Sequence, residues 1–289
     1  MNSIVSYPER GKWGKASYRG NATGKLILDL YRVYGFTQIS DYMAGSFTTK
    51  EVCNSINVKA HTYDLNQGFD LINEDIKERN DFVYWHPPYW DIIKYSGVQY
   101  GTKPLEHDLS HIKDYREFMR AINYCLEKQF LSLKTGGRMA ILMGDIKKKG
   151  KLYSMLLDMN KLGTIEQIVI KEQINCNSDN KIYSNNNFIR IAHEYCLILR
   201  KDNPYLYEYK IATTGIADIQ KSSRITWKDL VASVLENLNR AAKLEEIYTQ
   251  IQGNRKCYNN KNWKEKVRQT LQLNNELFKK IDRGVWMLN

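Results

Sequence analysis

Residues 84–91 read YWHPPYWD, and this stretch decides what kind of sheet the chain can build. Proline has no N–H to give to a ladder, so Pro87 and Pro88 cannot lie inside a central strand. The residues just before them, DFVYW at 81–85, form the short apolar run expected of a strand buried on both faces. A buried strand therefore runs up to His86 and stops there. Beyond it the chain leaves the sheet stiff and extended, with Tyr89 and Trp90 on display. A rigid aromatic turn would need no more than this. Whether the segment carries chemistry depends on its surroundings.

Upstream, TGKLILDLYRVYG (23–35) has helical apolar spacing and stops at Gly35, a C-cap. FTQIS predicts a strand, DYMAGSFTTKEVCNSI a small-residue turn that opens a helix, and KAHTYDL a strand ending at Asp64. Downstream, 114–133 predicts an amphipathic helix ended by TGG, and RMAILMGDI a strand. KLYSMLLDMNKLG predicts a helix capped by Gly163. TIEQIVIKEQ and RIAHEYCLILRK are strands joined only by a polar loop, hence an antiparallel edge hairpin. Strands alternating with helices make an α/β sheet. Residues 96–113 and 175–187 read as surface loops, and 202–224 as a linker.

The 289 residues, 43% of them hydrophobic, are enough for one large domain and a small appendage. No run approaches the roughly 20 apolar residues of a membrane span, and MNSIVSYPERGKWGK is no signal peptide. Five scattered cysteines without CxxC spacing point to reduced thiols in a cytoplasmic protein and to no metal site. The formal charge is +11, and residues 221–289 hold fourteen Lys or Arg against seven Asp or Glu. A cationic lobe of this kind fits a polyanion. In it, TWKDLVASVLENLNRAAKLEEIYTQI is helical, with Thr226 as N-cap and Asp229 completing a capping box. NWKEKVRQTLQLN is a short basic helix, and LFKKIDRGVWML is a hairpin around Asp282-Arg283-Gly284. Together these make a winged helix-turn-helix pattern.

DYMAGSFTT at 41–49 and HPPY at 86–89 together resemble the two motifs of amino-methylating DNA methyltransferases, DPFAGSGTT and D/N/S-P-P-Y/F/W. SYRGNATG (17–24) looks like that family's upstream cofactor motif and YDLN (63–66) like the acidic end of its second strand. GGRMAILMGD and HEYCLILRK look like later core strands, so the resemblance spans 16–201, and the tail resembles winged-helix segments. It implies a Rossmann-like mixed sheet with helices on both faces over residues 1–210. A small basic winged-helix-like domain follows over 220–289.

The implied cofactor is S-adenosyl-L-methionine, with Asn21, Thr23, Asp41, Ala44, Gly45, Ser46 and Asp64 as its candidate partners. His86, Pro87, Pro88 and Tyr89 would carry the chemistry. Trp90 would form a second wall, and Lys264, Lys266, Arg268 and Arg283 would hold double-stranded DNA. The implied reaction is methylation of a DNA base, adenine N6 first and cytosine N4 second, as in restriction-modification systems. An RNA methyltransferase and a non-catalytic DNA-binding protein on the same fold are the rival readings. The protein would be a monomer or a homodimer.

The residues make sense in those roles. Ala44-Gly45-Ser46 lets a ligand approach the backbone, and Asp64 at a strand end can bind ribose hydroxyls. A base inside a duplex must be extruded before it can react, and stacking on an aromatic such as Tyr89 contributes about 1–3 kcal/mol. The exocyclic amine is a poor nucleophile because its lone pair is delocalised into the ring. Two acceptors aimed at its N–H groups favour a pyramidal nitrogen. The Pro87 carbonyl is one such acceptor; the residue before the prolines supplies the other. Here that residue is His86 in place of Asp, Asn or Ser, and only a neutral imidazole can accept. Phe47 in place of Gly and Tyr42 in place of Pro are further departures from the pattern.

Overall fold

The computed structural model describes residues 1–174, 189–213, 215, 217, 222 and 225–289. The polar stretch expected as a loop at 175–187 lies outside them, as does part of the expected linker. The chain divides into two units, Met1–Thr213 and Thr214–Asn289.

In the first unit the elements run β1 (Ile4–Val5), α1 (Gly24–Tyr34), β2 (Gln38–Asp41), α2 (Thr48–Ser55), β3 (Lys59–Thr62), β4 (Asn80–Trp85), α3 (Tyr115–Leu131), β5 (Leu133–Met143), β6 (Asp145–Lys148), β7 (Lys151–Ser154), α4 (Met155–Asp158), β8 (Lys161–Leu162), β9 (Thr164–Glu172), β10 (His193–Arg200) and β11 (Tyr209–Lys210). Seven strands form one sheet in the order β1-β9-β10-β5-β4-β2-β3. β3, β2, β4 and β5 are parallel, and β10 runs antiparallel to both β5 and β9. The chain leaves β2 for β3 on one side and then returns to β4 on the other. The β2/β4 boundary is therefore the topological switch point, where open α/β sheets place their ligands beyond the strand ends.

Side chains alternate along β4 and divide the interior in two. Phe82 and Tyr84 join Leu26, Ile27, Leu30 and Val52 of α1 and α2. Val83 and Trp85 join Phe118, Ile122 and Phe130 of α3 on the opposite face. Helices thus cover both faces of the sheet, as its unbroken apolar strands require. β2 and β4 are parallel neighbours, with Ile39 opposite Phe82 and Ser40 opposite Val83, so Asp41 and His86 follow at the same end.

Three expectations are corrected. TGG does not end α3, which stops at Leu131 with Ser132 as its cap; the glycines lie inside β5. The β4–β5 register shifts between Asn80 and Phe82, and a Cβ on Gly137 would sit 3.0 Å from the Asn80 carbonyl oxygen. Those glycines let β5 bend against β4 rather than terminate a helix. KLYSMLLDMNKLG is not one helix, because Lys149 and Gly150 both take positive φ, 49° and 75°. They form a two-residue hairpin connection between β6 and β7, leaving only the single turn α4 and the short strand β8. Met155, Met159 and Leu162 are buried even so, which is how their spacing imitates a helix.

The third correction lies in the second unit. The run from 226 to 251 is two helices, α5 (Trp227–Leu238) and α6 (Leu244–Ile251), with β12 (Ala242–Lys243) between them. Asn239 ends α5 in the left-handed conformation at φ 51°, a geometry Asn tolerates. α7 (Arg255–Tyr258), α8 (Trp263–Leu273), β13 (Phe278–Asp282) and β14 (Val285–Leu288) follow. The sheet order β12-β14-β13 gives the winged-helix-like tail its wing, which turns at Gly284 with φ 74°. Leu230, Val234, Ile247, Ile251, Val267 and Leu271 make this unit its own core.

Candidate active site

Asp41, the last residue of β2, is buried. Its Oδ1 accepts the Met43 N–H at 3.1 Å and its Oδ2 the Thr49 hydroxyl at 2.6 Å, so it staples the β2–α2 loop to the first turn of α2. Burial outweighs these bonds and pushes its carboxyl up to about 7. Within the loop, the Gly45 N–H donates to Asp64 Oδ2 at 2.8 Å, and the Asn66 N–H donates to Asp64 Oδ1 at 2.9 Å. Asp64 therefore ties the end of the second strand to the loop of the first. Asn21 accepts from the Thr48 hydroxyl at 2.5 Å, bringing the segment before α1 over the same loop. A Cβ on Gly45, at φ 51°, would meet the Tyr18 ring at 3.0 Å.

Phe47 precedes α2 with φ 63° and ψ 29°. This is the left-handed conformation, and it explains why glycine suits the position. The left-handed region costs a side chain roughly 1–2 kcal/mol, and the Phe47 ring belongs to neither apolar cluster of this unit. Because glycine loses more backbone entropy on folding, the net gain from Phe47→Gly is expected to be at most about 1 kcal/mol, or roughly 2–4 °C in a thermal melt. A lower Tm would mean that the ring makes contacts worth more than the strain.

β4 ends at Trp85, and the prolines stop the ladder as expected. His86 and Pro88 line a cavity that also meets Asn21, Asp41, Ala44, Gly45, Ser46 and Asp64. Asp41–Ser46, Thr48 and Thr49 on one side and His86 and Pro88 on the other, far apart in sequence, thus line one cavity at the switch point. Pro87 is buried and, like Tyr89, is not among the residues that line it, so the expected acceptor carbonyl and exposed stacking ring are corrected. Tyr89 packs on Gly144, where a Cβ would lie 2.8 Å from its ring. The Tyr89 hydroxyl donates to Glu194 Oε1 at 2.8 Å and lies 3.0 Å from His86 Nε2, while Lys171 Nζ donates to Glu194 Oε2 at 2.6 Å. Burial pushes the His86 imidazole down to about 4, with Lys171 adding to the effect and Glu194 opposing it.

Two further residues expected at the site fall elsewhere. Trp90 is not on display. At φ 48° it turns inward, stacks among Tyr115 and Tyr153 with centroids 5.2 and 5.1 Å away, and donates its indole N–H to the Ile112 carbonyl at 3.0 Å. Its large apolar ring is worth more in the core than at a cavity wall. Thr23 is the N-cap of α1: its hydroxyl accepts the Lys25 N–H and donates to the Arg10 carbonyl. Lys264, Lys266, Arg268 and Arg283 are exposed in the second unit, the first three on α8 and the last in the wing turn. Arg268 is paired with Glu265 at 2.6 Å.

Sequence reasoning missed Glu194, Tyr84 and the aromatic roof made by Tyr18, Tyr95 and Tyr100. The loop expected at 96–113 supplies part of that roof. It folds around buried Asp108, whose carboxylate accepts the N–H and hydroxyl of both Ser96 and Ser110. A polar loop built on one buried acid leaves no periodic signal. Tyr18, by contrast, stood inside the quoted SYRGNATG.

The cavity encloses about 860 Å³, its open mouth included. Its described lining carries four carboxylates, of Asp41, Asp64, Asp70 and Asp108, and no Lys or Arg. In a chain of net charge +11 that is a selective environment. It disfavours phosphates and suits a nucleoside ligand that carries positive charge. Tyr84 lines it as well, and its buried hydroxyl has no partner among the described residues. This donor set fits S-adenosylmethionine: carboxylates for a sulfonium and ribose hydroxyls, aromatic rings for an adenine, and an orphan hydroxyl for one more polar contact. Fold and site together define a domain of the α/β methyltransferase fold whose cavity fits this ligand.

The chain belongs to the DNA methylase family, whose sequence profile matches residues 80–282. The matched region contains HPPY and begins after the loop at 41–49. Among solved structures, a protein of Thermus thermophilus assigned as a DNA modification methylase is 20% identical over 47% of this chain and 51% of its own, with a TM-score of 0.30. Its complex with S-adenosyl-L-methionine aligns at 18% identity over 58% of this chain and 57% of its own, TM-score 0.30. A SAM-dependent methyltransferase of Archaeoglobus fulgidus is 14% identical over 64% of this chain and 96% of its own, TM-score 0.34. The chain spans about half the length of the Thermus structures it matches. No curated protein sequence matches it. Membership of this family implies S-adenosylmethionine as the methyl donor, and the cavity lining fits it. No described helix is long and apolar enough to cross a membrane.

Proposed function

We propose that the protein methylates the exocyclic amine of a DNA base extruded from the duplex, with adenine N6 as the first choice and cytosine N4 as the second. One observation carries this reading: His86 and Pro88, directly after β4, line the cavity at the switch point. When bound, the cofactor supplies an electrophilic methyl group on a sulfonium. His86, on the cavity wall, accepts an N–H hydrogen of the amine and favours a pyramidal nitrogen whose lone pair is free to attack. The roof tyrosines and the loop at 96–113 exclude water. Asp64 holds ribose hydroxyls, and the Asp41-stapled turn holds the amino-acid end. With its imidazole held near 4, His86 is an acceptor at neutral pH, which argues against a non-catalytic relic. Incubation with tritium-labelled cofactor and duplex DNA, followed by nucleoside analysis, tests the proposal. Label on N6-methyladenine is the expected result, and label confined to RNA or protein would refute it.

The second unit is the proposed DNA grip, with α8 and the wing toward the duplex. Lys264, Lys266 and Arg283 are exposed there. Replacing all three by alanine is expected to weaken DNA binding while sparing cofactor affinity. The slope of log affinity against log salt should flatten by about 0.9 for each phosphate that is no longer neutralised. An unchanged slope would make the tail a structural cap.

A further inference from the structure

We propose that Glu194, anchored by Lys171, fixes the tautomer of His86 through the hydroxyl of Tyr89, and so presents Nδ1 as the bare acceptor nitrogen of that ring. A tyrosine hydroxyl has one hydrogen. Here it points to Glu194 Oε1 at 2.8 Å. Toward His86 Nε2, 3.0 Å away, the Tyr89 oxygen can then only accept. A neutral imidazole has one N–H, so Nε2 carries it and Nδ1 is bare.

The direction of the relay is set at its far end. Glu194 and Lys171 are register partners on β10 and β9, and Lys171 Nζ lies 2.6 Å from Glu194 Oε2. An ionised carboxylate only accepts, so the Tyr89 hydrogen has a single destination. Burial works against that charge, but the Lys171 ammonium and the hydrogen bonds from Lys171 and Tyr89 favour it, and the Glu194 carboxyl lies below its usual range. Tyr89 cannot swing away freely, because its ring is seated on Gly144. An Asp, Asn or Ser before the prolines would offer an oxygen that accepts in any case. A histidine there needs something to decide which nitrogen holds the proton, and the described structure contains one continuous path that does so. Glu194 is thus a positioning residue. The link from tautomer to methyl transfer rests on the function proposed above; the tautomer itself does not.

The test is long-range proton–nitrogen NMR of the full chain labelled with 15N-histidine, with the five histidines resolved by a His86→Asn spectrum. The parent should show His86 protonated at Nε2. In Glu194→Gln, Lys171 claims the amide oxygen, and the amide NH2 then faces Tyr89. The Tyr89 hydrogen turns to His86, and the ring proton moves to Nδ1. Tyr89→Phe, which keeps the Lys171–Glu194 pair, should lose the fixed preference and give a mixed pattern. The methylation rate should fall about 5- to 150-fold in Glu194→Gln, the effect of a misplaced buried donor. It should fall no further when Glu194→Gln is added to His86→Asn. A parent protonated at Nδ1, or a His86 tautomer unmoved in both folded variants, would overturn the relay. The expected tautomers with no methylation of any DNA would instead refute the proposed reaction and leave the relay standing.

Discussion

His86→Ala is expected to slow single-turnover methylation by about 5- to 150-fold, because a buried N–H left without an acceptor costs roughly 1–3 kcal/mol. The pH profile separates this role from a packing role. An unperturbed histidine titrates near roughly 6.5, which would place an acid limb just below neutrality. In this site burial brings the imidazole down to about 4. Its neutral, accepting form therefore dominates above that value, and the rate should be flat through neutral pH. It should fall only as pH drops toward 4 and the imidazolium forms. His86→Asn supplies an acceptor that does not titrate and should lose the limb. The measurement is a pH–rate profile of the three proteins with saturating DNA and cofactor. An alanine variant as fast as the parent at every pH would reduce HPPY to a turn.

Asp64→Ala is expected to cost about 1.5–3 kcal/mol of cofactor affinity, the range for a hydrogen bond to a charged group. The structure adds a second effect. Asp64 also accepts the Gly45 and Asn66 N–H groups at 2.8 and 2.9 Å, so its removal leaves both donors unpaired and loosens the loop. Asp64→Asn keeps one acceptor oxygen and should lie between alanine and the parent. Calorimetric titration with cofactor, alongside a thermal melt of each variant, distinguishes the two effects. Full affinity in a folded alanine variant would exclude Asp64 from the site.

Much of β4 and its Pro-Pro end was legible because the signals are local. A Pro-Pro pair ends a ladder wherever it falls, and Gly35 and Thr226 cap their helices as their residue types predict. The loop at 41–49 was legible for the same reason, down to Phe47 standing where glycine is expected. Elsewhere local pattern misled. Met155, Met159 and Leu162 are buried at helical spacing without a helix, since two positive-φ residues upstream dictate a hairpin. Trp90 read as an exposed platform because nothing near it in sequence shows the aromatic pocket that receives it. Glu194 was beyond reach altogether. It sits 105 residues from Tyr89, in a strand whose HEYCLILR text reads as ordinary core, and only the sheet order brings it behind the catalytic segment.

That sheet order also makes activity a gauge of correct assembly. Parallel strands deliver only their carboxyl ends to the switch point, whereas antiparallel β10 enters there, so its first residues meet the site while the rest of the strand is zipped between β5 and β9. A slip of one residue along β10 would send Glu194 to the opposite face of the sheet. Such a molecule would keep its helices and most of its apolar burial, and could unfold over nearly the same temperature range as the native one. It would nonetheless leave the histidine proton undirected. In preparations refolded from denaturant, turnover per molecule should therefore expose misassembled protein that circular dichroism passes as native.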